Sequence, residues 1–183
     1  MKYLDENNLW KNFLNIVSWV TYAEKKNTLI LTSNAILLSL VAFLFKLFDT
    51  KIFIVNSNLK YYVLVLFVLI LISTALVLLS FFPVSKLTSA CIVNNNDELK
   101  PENANLFFYG HIAMLSNKQI EEELLSRDGE SSLAQSQKDV IAQIKINSNI
   151  ANNKYELFKI AFKFLALELL LFIVILILSG SMV

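Results

Sequence analysis

Residues 61 to 82 read YYVLVLFVLILISTALVLLSFF, twenty-two residues without a charge, a glycine or a proline, and this stretch decides the fold. A bilayer core about 30 Å thick is crossed by about 20 apolar residues rising 1.5 Å each, and within it a lone segment satisfies its backbone only as a helix. Tyr61 and Tyr62 at one end, and Phe81 and Phe82 at the other, stand where aromatic side chains favour the membrane interface. Pro83 is expected to close the helix, since it lacks a backbone N–H and disfavours helical geometry in the residue before it. A core helix of a soluble protein is about half this length.

Two other stretches share the character. Residues 27 to 45 (NTLILTSNAILLSLVAFLF) carry no charge, and residues 160 to 178 (IAFKFLALELLLFIVILIL) carry only Lys163, able to snorkel to the interface, and Glu168. With 56% hydrophobic residues, 14 Phe, 3 Gly and 2 Pro in 183 residues, the composition is that of a small, all-α integral membrane protein. The expected divisions are an amphipathic helix at 1–27, a first transmembrane helix at 28–45, a connection at 46–60 and a second transmembrane helix at 61–82. A polar region ending in a long helix follows at 83–159, then a third transmembrane helix at 160–178 and a short tail at 179–183.

Lysine and arginine positions orient these spans. Four lysines lie in the amino-terminal tail (Lys2, Lys11, Lys25 and Lys26), nine Lys or Arg lie between Pro83 and Lys163, and three (Lys46, Lys51 and Lys60) lie in the connection. The positive-inside rule then makes the tail and the long polar region cytoplasmic and the connection and carboxyl-terminal tail external, so the chain is read as N-in, C-out with three spans and a small helical cytoplasmic unit. Met1 to Lys26 includes Asp5, Glu6 and Glu24 and resembles no secretory signal, so the amino terminus is expected to be retained.

Along the tail, Leu9, Trp10, Phe13, Leu14, Val17, Val20 and Thr21 recur at helical spacing opposite Lys11, Asn12, Asn15, Ser18, Tyr22 and Lys25, with Asn7 or Asn8 as the expected cap. No breaker separates this helix from the first span, which predicts one continuous helix. After the loop-like Asn94 to Glu98, Pro101 opens a compact unit containing the aromatic stretch Asn105 to Ala113. Ser116 to Gln119 has capping-box form and Gly129 ends that helix. Ser132 to Gln135 reads as a second capping box opening a helix of about 46 residues, roughly 70 Å long, that runs into the third span. The strip Leu133, Val140, Ile144, Ala151 and Phe158 on that helix is longer than a small unit is expected to cover, which predicts homo-oligomers formed through it.

Function classes narrow quickly. A net charge of +1 with sixteen scattered cations gives no nucleic-acid face, and the single Cys91 and single His111 supply neither a disulfide framework nor a metal site. No phosphate-binding glycine loop or paired nucleophile and base is present, so no catalytic residues, metal or cofactor are assigned and an enzyme is not expected. His111 reads most simply as a hydrogen-bonded structural histidine. Phe107, Phe108 and Tyr109, with Gly110 and His111, offer a base-stacking surface, and the helix start near Lys118 offers one cation and free N–H groups for a phosphate. The plainer reading is that these rings form the core of a small unit.

Inside the membrane, Glu168 lies about eight residues, or roughly 12 Å, from the cytoplasmic end of its span, and Asn34, Ser73 and Thr74 fall at about the same depth. Those groups are expected to form one hydrogen-bonded layer containing an uncharged Glu168, either as packing glue or as a path for water or ions.

The order of Trp19 to Asn27 (WVTYAEKKN), two spans, Asn105 to Ile112 (NLFFYGHI), and Asn153-Lys154-Tyr155 before the last span resembles the Pycsar transmembrane effector family along nearly the whole chain. The resemblance implies an antiviral membrane effector of the bacterial inner membrane. In such a system a partner pyrimidine cyclase makes cyclic CMP or cyclic UMP on phage infection, and the nucleotide switches on the effector, which impairs the membrane and arrests or kills the cell. The polar region at 83–159 would then be the sensor. No phosphate cassette of the familiar cyclic-nucleotide-binding domains surrounds Arg127. A regulated channel or transporter subunit and a passive membrane scaffold stay open beside this reading.

Overall fold

The computed structural model describes residues 3–47, 57–82 and 101–180. The expected stop at Pro83, the middle of the connection at 46–60, the loop around Asn94 to Glu98 with Cys91, and the last residues of the tail lie outside the described residues. Helix α1 spans Glu6–Leu47, α2 Ser57–Phe81, α3 Tyr109–Met114, α4 Asn117–Asp128 and α5 Gln135–Gly180, with a 3-10 turn at Pro101–Asn103. The described residues contain no strand, and three helices, α1, α2 and α5, are long and apolar enough to cross a membrane. Two compact units result: Met1–Glu24 with Val84–Glu156, and Lys25–Pro83 with Leu157–Val183. Both α1 and α5 run unbroken through residues of both units, because neither has a glycine or proline between its ends except the terminal Gly180.

The second unit is a three-helix bundle. Its buried positions step by threes, fours or, once on α5, seven: Asn27, Ile30, Asn34, Leu37 and Val41 on α1; Leu59, Val63, Leu66, Ile70, Ser73, Val77 and Ser80 on α2; Leu157, Ala161, Leu165, Glu168 and Ile175 on α5. That is the seam of a left-handed coiled coil, in which a 3.5-residue spacing keeps one stripe facing its neighbours. The outer faces are apolar, with Leu29, Ile36, Leu64, Leu170 and Ile177 all exposed, while the buried polar groups sit in the seam. This inside-out distribution suits lipid contact. Outward hydroxyls are satisfied locally, as Thr32, Ser33 and Ser39 each donate to the carbonyl four residues back.

The first unit has an ordinary core of Leu4, Leu9, Ile16, Ala104, Leu106, Ile112, Leu115, Ile120, Leu124, Ile141 and Ile144. Its ends are tied by polar clips. Asp128 accepts from the backbone N–H of Tyr3 (2.9 Å) and Leu4 (2.6 Å), Gln137 Nε2 donates to Leu4 O, and Arg127 reaches both Glu123 and Ala104 O while lying over the Tyr3 ring. Asn12 and Asn15 donate to the carbonyls of Leu106 and Phe107, so the polar side of α1 holds the aromatic stretch rather than facing water alone.

Four local expectations need correction. Helix α1 begins at Glu6, where the Asp5 carbonyl accepts from Asn8 and Leu9, so Asn7 and Asn8 lie inside the first turn. The α1 face that is buried runs Leu9, Ile16 and Ala23, whereas Trp10 and Leu14 are exposed; Leu9 and Ile16 are the positions that the first core covers. Helix α5 begins at Gln135, with Gln137 reaching back to the Ala134 N–H, so the Ser132 box does not form. Finally, the strip from Leu133 to Phe158 is not a free face: Ile144 and Ala151 are buried, Leu133 and Val140 pack on the first core, and Phe158 packs on the bundle core, which removes the stated ground for oligomers through this strip. By contrast the Ser116 capping box and the left-handed Gly129 cap (φ 68°) stand as expected.

Candidate functional site

Within the first unit the rings gather where α1, α3 and α5 meet. Phe108 precedes α3 in extended backbone (φ −107°, ψ 119°), and successive side chains of an extended chain point to opposite sides. Phe107 therefore packs on Tyr3 (5.7 Å), while Phe108 turns the other way onto Tyr109 (4.7 Å), His111 (5.2 Å) and Trp19 (6.5 Å). Tyr109 stacks on Tyr155 at 5.0 Å and 16°, and Trp19 contacts both tyrosines at 5.4 and 6.3 Å. The cluster is thus Trp19, Phe108, Tyr109, His111 and Tyr155. Sequence reasoning placed Phe107 in it and missed Trp19 and Tyr155, which lie far apart in the chain; both stand in the segments that carry the family resemblance.

Gly110 is buried under this cluster, and a Cβ there would lie 2.7 Å from the Phe108 ring. Lack of a side chain is what lets the ring lie so close to the helix start. His111 Nδ1 accepts from the Asn105 N–H at 2.9 Å, which assigns the ring proton to Nε2. Burial, with Tyr155 and Glu156 nearby, pushes the Tyr109 phenol up to about 12, and burial with Tyr22 nearby raises Tyr155 as well, so both hydroxyls keep their protons at neutral pH. Phe108, 37% exposed, is the ring of the cluster most open to solvent. Lys118 is exposed on the first turn of α4, with no hydrogen bond or ring contact to the cluster.

A cation that the sequence did not single out supports the site from below. Lys145 on α5 donates to the carbonyls of Ile112 (3.1 Å) and Ala113 (2.8 Å), capping the carboxyl end of α3, and burial lowers it to about 8. Further along α5, on the other side of the helix, Lys154 pairs with Glu24 at 2.9 Å.

In the second unit the structure brings Asn34, Ser73 and Thr74 together. Asn34 Nδ2 donates to Ser73 Oγ at 2.6 Å and Thr74 Oγ1 at 3.0 Å. Glu168 is fully buried in the same seam with the Ser73 hydroxyl as its polar neighbour, yet neither carboxyl oxygen has a hydrogen-bond partner within range, and Asn34 Oδ1 has none either. Ser73, Ser80 and Ser179 each donate to the carbonyl three residues back, so the bundle's buried serines quieten themselves. Among the described residues no three of His, Cys, Asp and Glu come together as a metal site.

Comparison with known families matches residues 8–180 to the family described as Pycsar effector protein domain. Curated proteins and solved structures give no match.

Proposed function

This chain belongs to the Pycsar effector family, which makes it an antiphage defence effector in a membrane, and from that premise we propose how it acts. A partner cyclase produces cyclic CMP or cyclic UMP, the nucleotide binds the aromatic unit, and the three-helix bundle in the bacterial inner membrane loses its barrier, ending in growth arrest or cell death. The chain acts by changing conformation and not as an enzyme. Its aromatic unit lies in the cytoplasm, where the nucleotide is made.

One observation carries this reading: α1 and α5 each contribute to the aromatic cluster and, without interruption, to the bundle seam. Trp19 and Tyr155 belong to the cluster, and Asn34 and Glu168 belong to the polar layer of the same two helices. A ligand shifts a conformational equilibrium only by its differential affinity for the two states, and a continuous helix shared by both sites is the simplest way to express that difference. A pyrimidine base stacks on the open face of Phe108, a contact worth about 1–3 kcal/mol per base, and His111 Nε2–H supplies a donor to the base edge or the phosphate.

Titration of the purified full-length protein with cyclic CMP and with cyclic UMP tests the proposal, beside dye entry into cells that express the effector with and without a cyclase. Binding of one nucleotide, and dye entry only with the cyclase, is expected. Binding of neither nucleotide, or dye entry independent of a cyclase, would reject it.

A further inference from the structure

We propose that what crosses the membrane when the bundle opens is selectively cationic, and that the Asn34–Glu168 layer sets this preference. The proposal rests on the reading that the effector impairs the membrane, and adds the charge of the species that passes.

Donors and acceptors do not balance at one level of the seam. With the amide oriented as the structure gives it, both hydrogens of Asn34 Nδ2 are committed to Ser73 and Thr74, and the Ser73 hydroxyl hydrogen points back to Ile70 O. Against this, Asn34 Oδ1 and both oxygens of Glu168 are buried and unpartnered. The Thr74 hydroxyl hydrogen is the one donor left over when the carboxyl is ionised, and the carboxyl O–H is a second when it is protonated. Acceptors stay in excess whether or not the carboxyl holds a proton, and if it does not, a full negative charge is added.

No cation within the membrane offsets this excess. Along the seam, α1 has no titratable residue between Lys26 and Lys46, α2 has none after Tyr62, and α5 has only Glu168 after Lys163. Lys25, Lys26, Lys159 and Lys163 stand at one end of the spans and Lys46 and Lys60 at the other, and Lys26 lies over the Phe158 ring at 5.3 Å. A cation entering a wetted seam therefore exchanges hydration oxygens for amide and carboxyl oxygens, whereas an anion finds more acceptors than free donors at this level. Rings of carboxyl groups select cations for the same reason.

The test is reconstitution of the full-length protein in planar bilayers under a KCl gradient, with cyclic CMP or cyclic UMP added on the aromatic-unit side. Wild type is expected to pass current that reverses toward the potassium equilibrium potential, with a several-fold preference for K⁺ over Cl⁻. Glu168→Asp should keep that preference and Glu168→Gln should reduce or abolish it, while both still conduct. Nucleotide-dependent current that reverses at zero in the wild type, or a Glu168→Gln preference equal to wild type, overturns the cation assignment and leaves membrane impairment standing. Absence of any current with either nucleotide overturns both.

Discussion

At the level of single residues the site turns on small geometric conditions. Gly110 is one, because any side chain there displaces Phe108, whose ring atom would sit 2.7 Å from the added Cβ. Since that ring is partly exposed and can swing outward, Gly110→Ala should leave the protein folded in the membrane, weaken nucleotide binding several-fold and raise the nucleotide needed for dye entry. Phe108→Ala should abolish binding while membrane insertion persists. Wild-type affinity in both variants, measured by calorimetry on purified protein, would remove Phe108 from the binding site.

Lys145 makes a second residue-level prediction. Its folded value of about 8 lies below the ordinary 10.5, so between these the unfolded chain binds more protons and stability rises with pH; below about 8 both states are charged and the effect is flat. Tyr109 acts oppositely above 10, where the unfolded phenol releases its proton before the folded one at about 12. The stability difference between wild type and Lys145→Met should therefore shift in favour of the wild type from about pH 8 to pH 10, measured by thermal melting in detergent. A difference that stays constant across that window would reject the assignment.

Among the elements, three long helices were legible because length and hydropathy are local properties: a run such as Tyr61 to Phe82 needs no partner to be read. The faces of those helices were harder. Trp10 and Leu14 look like core in a helical projection but are exposed, and Ala23 looks unremarkable yet is completely buried, because burial is decided by which face the tertiary fold covers and not by the hydrophobicity of the side chain alone. The aromatic cluster was half legible for a similar reason. Phe108, Tyr109 and His111 are neighbours in sequence, but Trp19 and Tyr155 reach them only through tertiary packing, and the extended backbone at Phe108 sends Phe107 elsewhere.

Continuity of α5 through both units gives an element-level test. Each residue of an α-helix advances about 100°, so one alanine inserted after Glu156 should rotate the seam of Leu157 to Ser179 out of register with the cluster at Tyr155, without supplying or removing any ligand contact. Nucleotide affinity should stay near wild type while cyclase-dependent dye entry is lost. Retention of full activity would mean that α5 does not carry the response.

Considered whole, the molecule places an aromatic cluster and an acceptor-rich layer on the same two helices, so thermodynamics constrains how they communicate. If nucleotide favours the open bundle by a factor, opening must favour nucleotide by the same factor, with a typical coupling of about 1–3 kcal/mol, or roughly 5–150-fold. Ile70 is buried one turn from Ser73 on α2, and an aspartate there introduces a second carboxylate into the seam, which destabilises the dry, closed arrangement. Ile70→Asp should therefore admit dye without a cyclase and bind its nucleotide more tightly than wild type, although residue 70 contributes nothing to the aromatic cluster. Conversely, Asn34→Leu together with Glu168→Leu removes the amide and the carboxyl at that level and leaves only the Ser73 and Thr74 hydroxyls, which favours the closed state and should weaken nucleotide binding while raising thermal stability. Both measurements use full-length protein in the same lipid nanodiscs, with calorimetric affinity for the cyclic nucleotide as the readout. Equal affinity in wild type, Ile70→Asp and the double leucine variant would break the reciprocity and show that the nucleotide site and the bundle are not energetically linked.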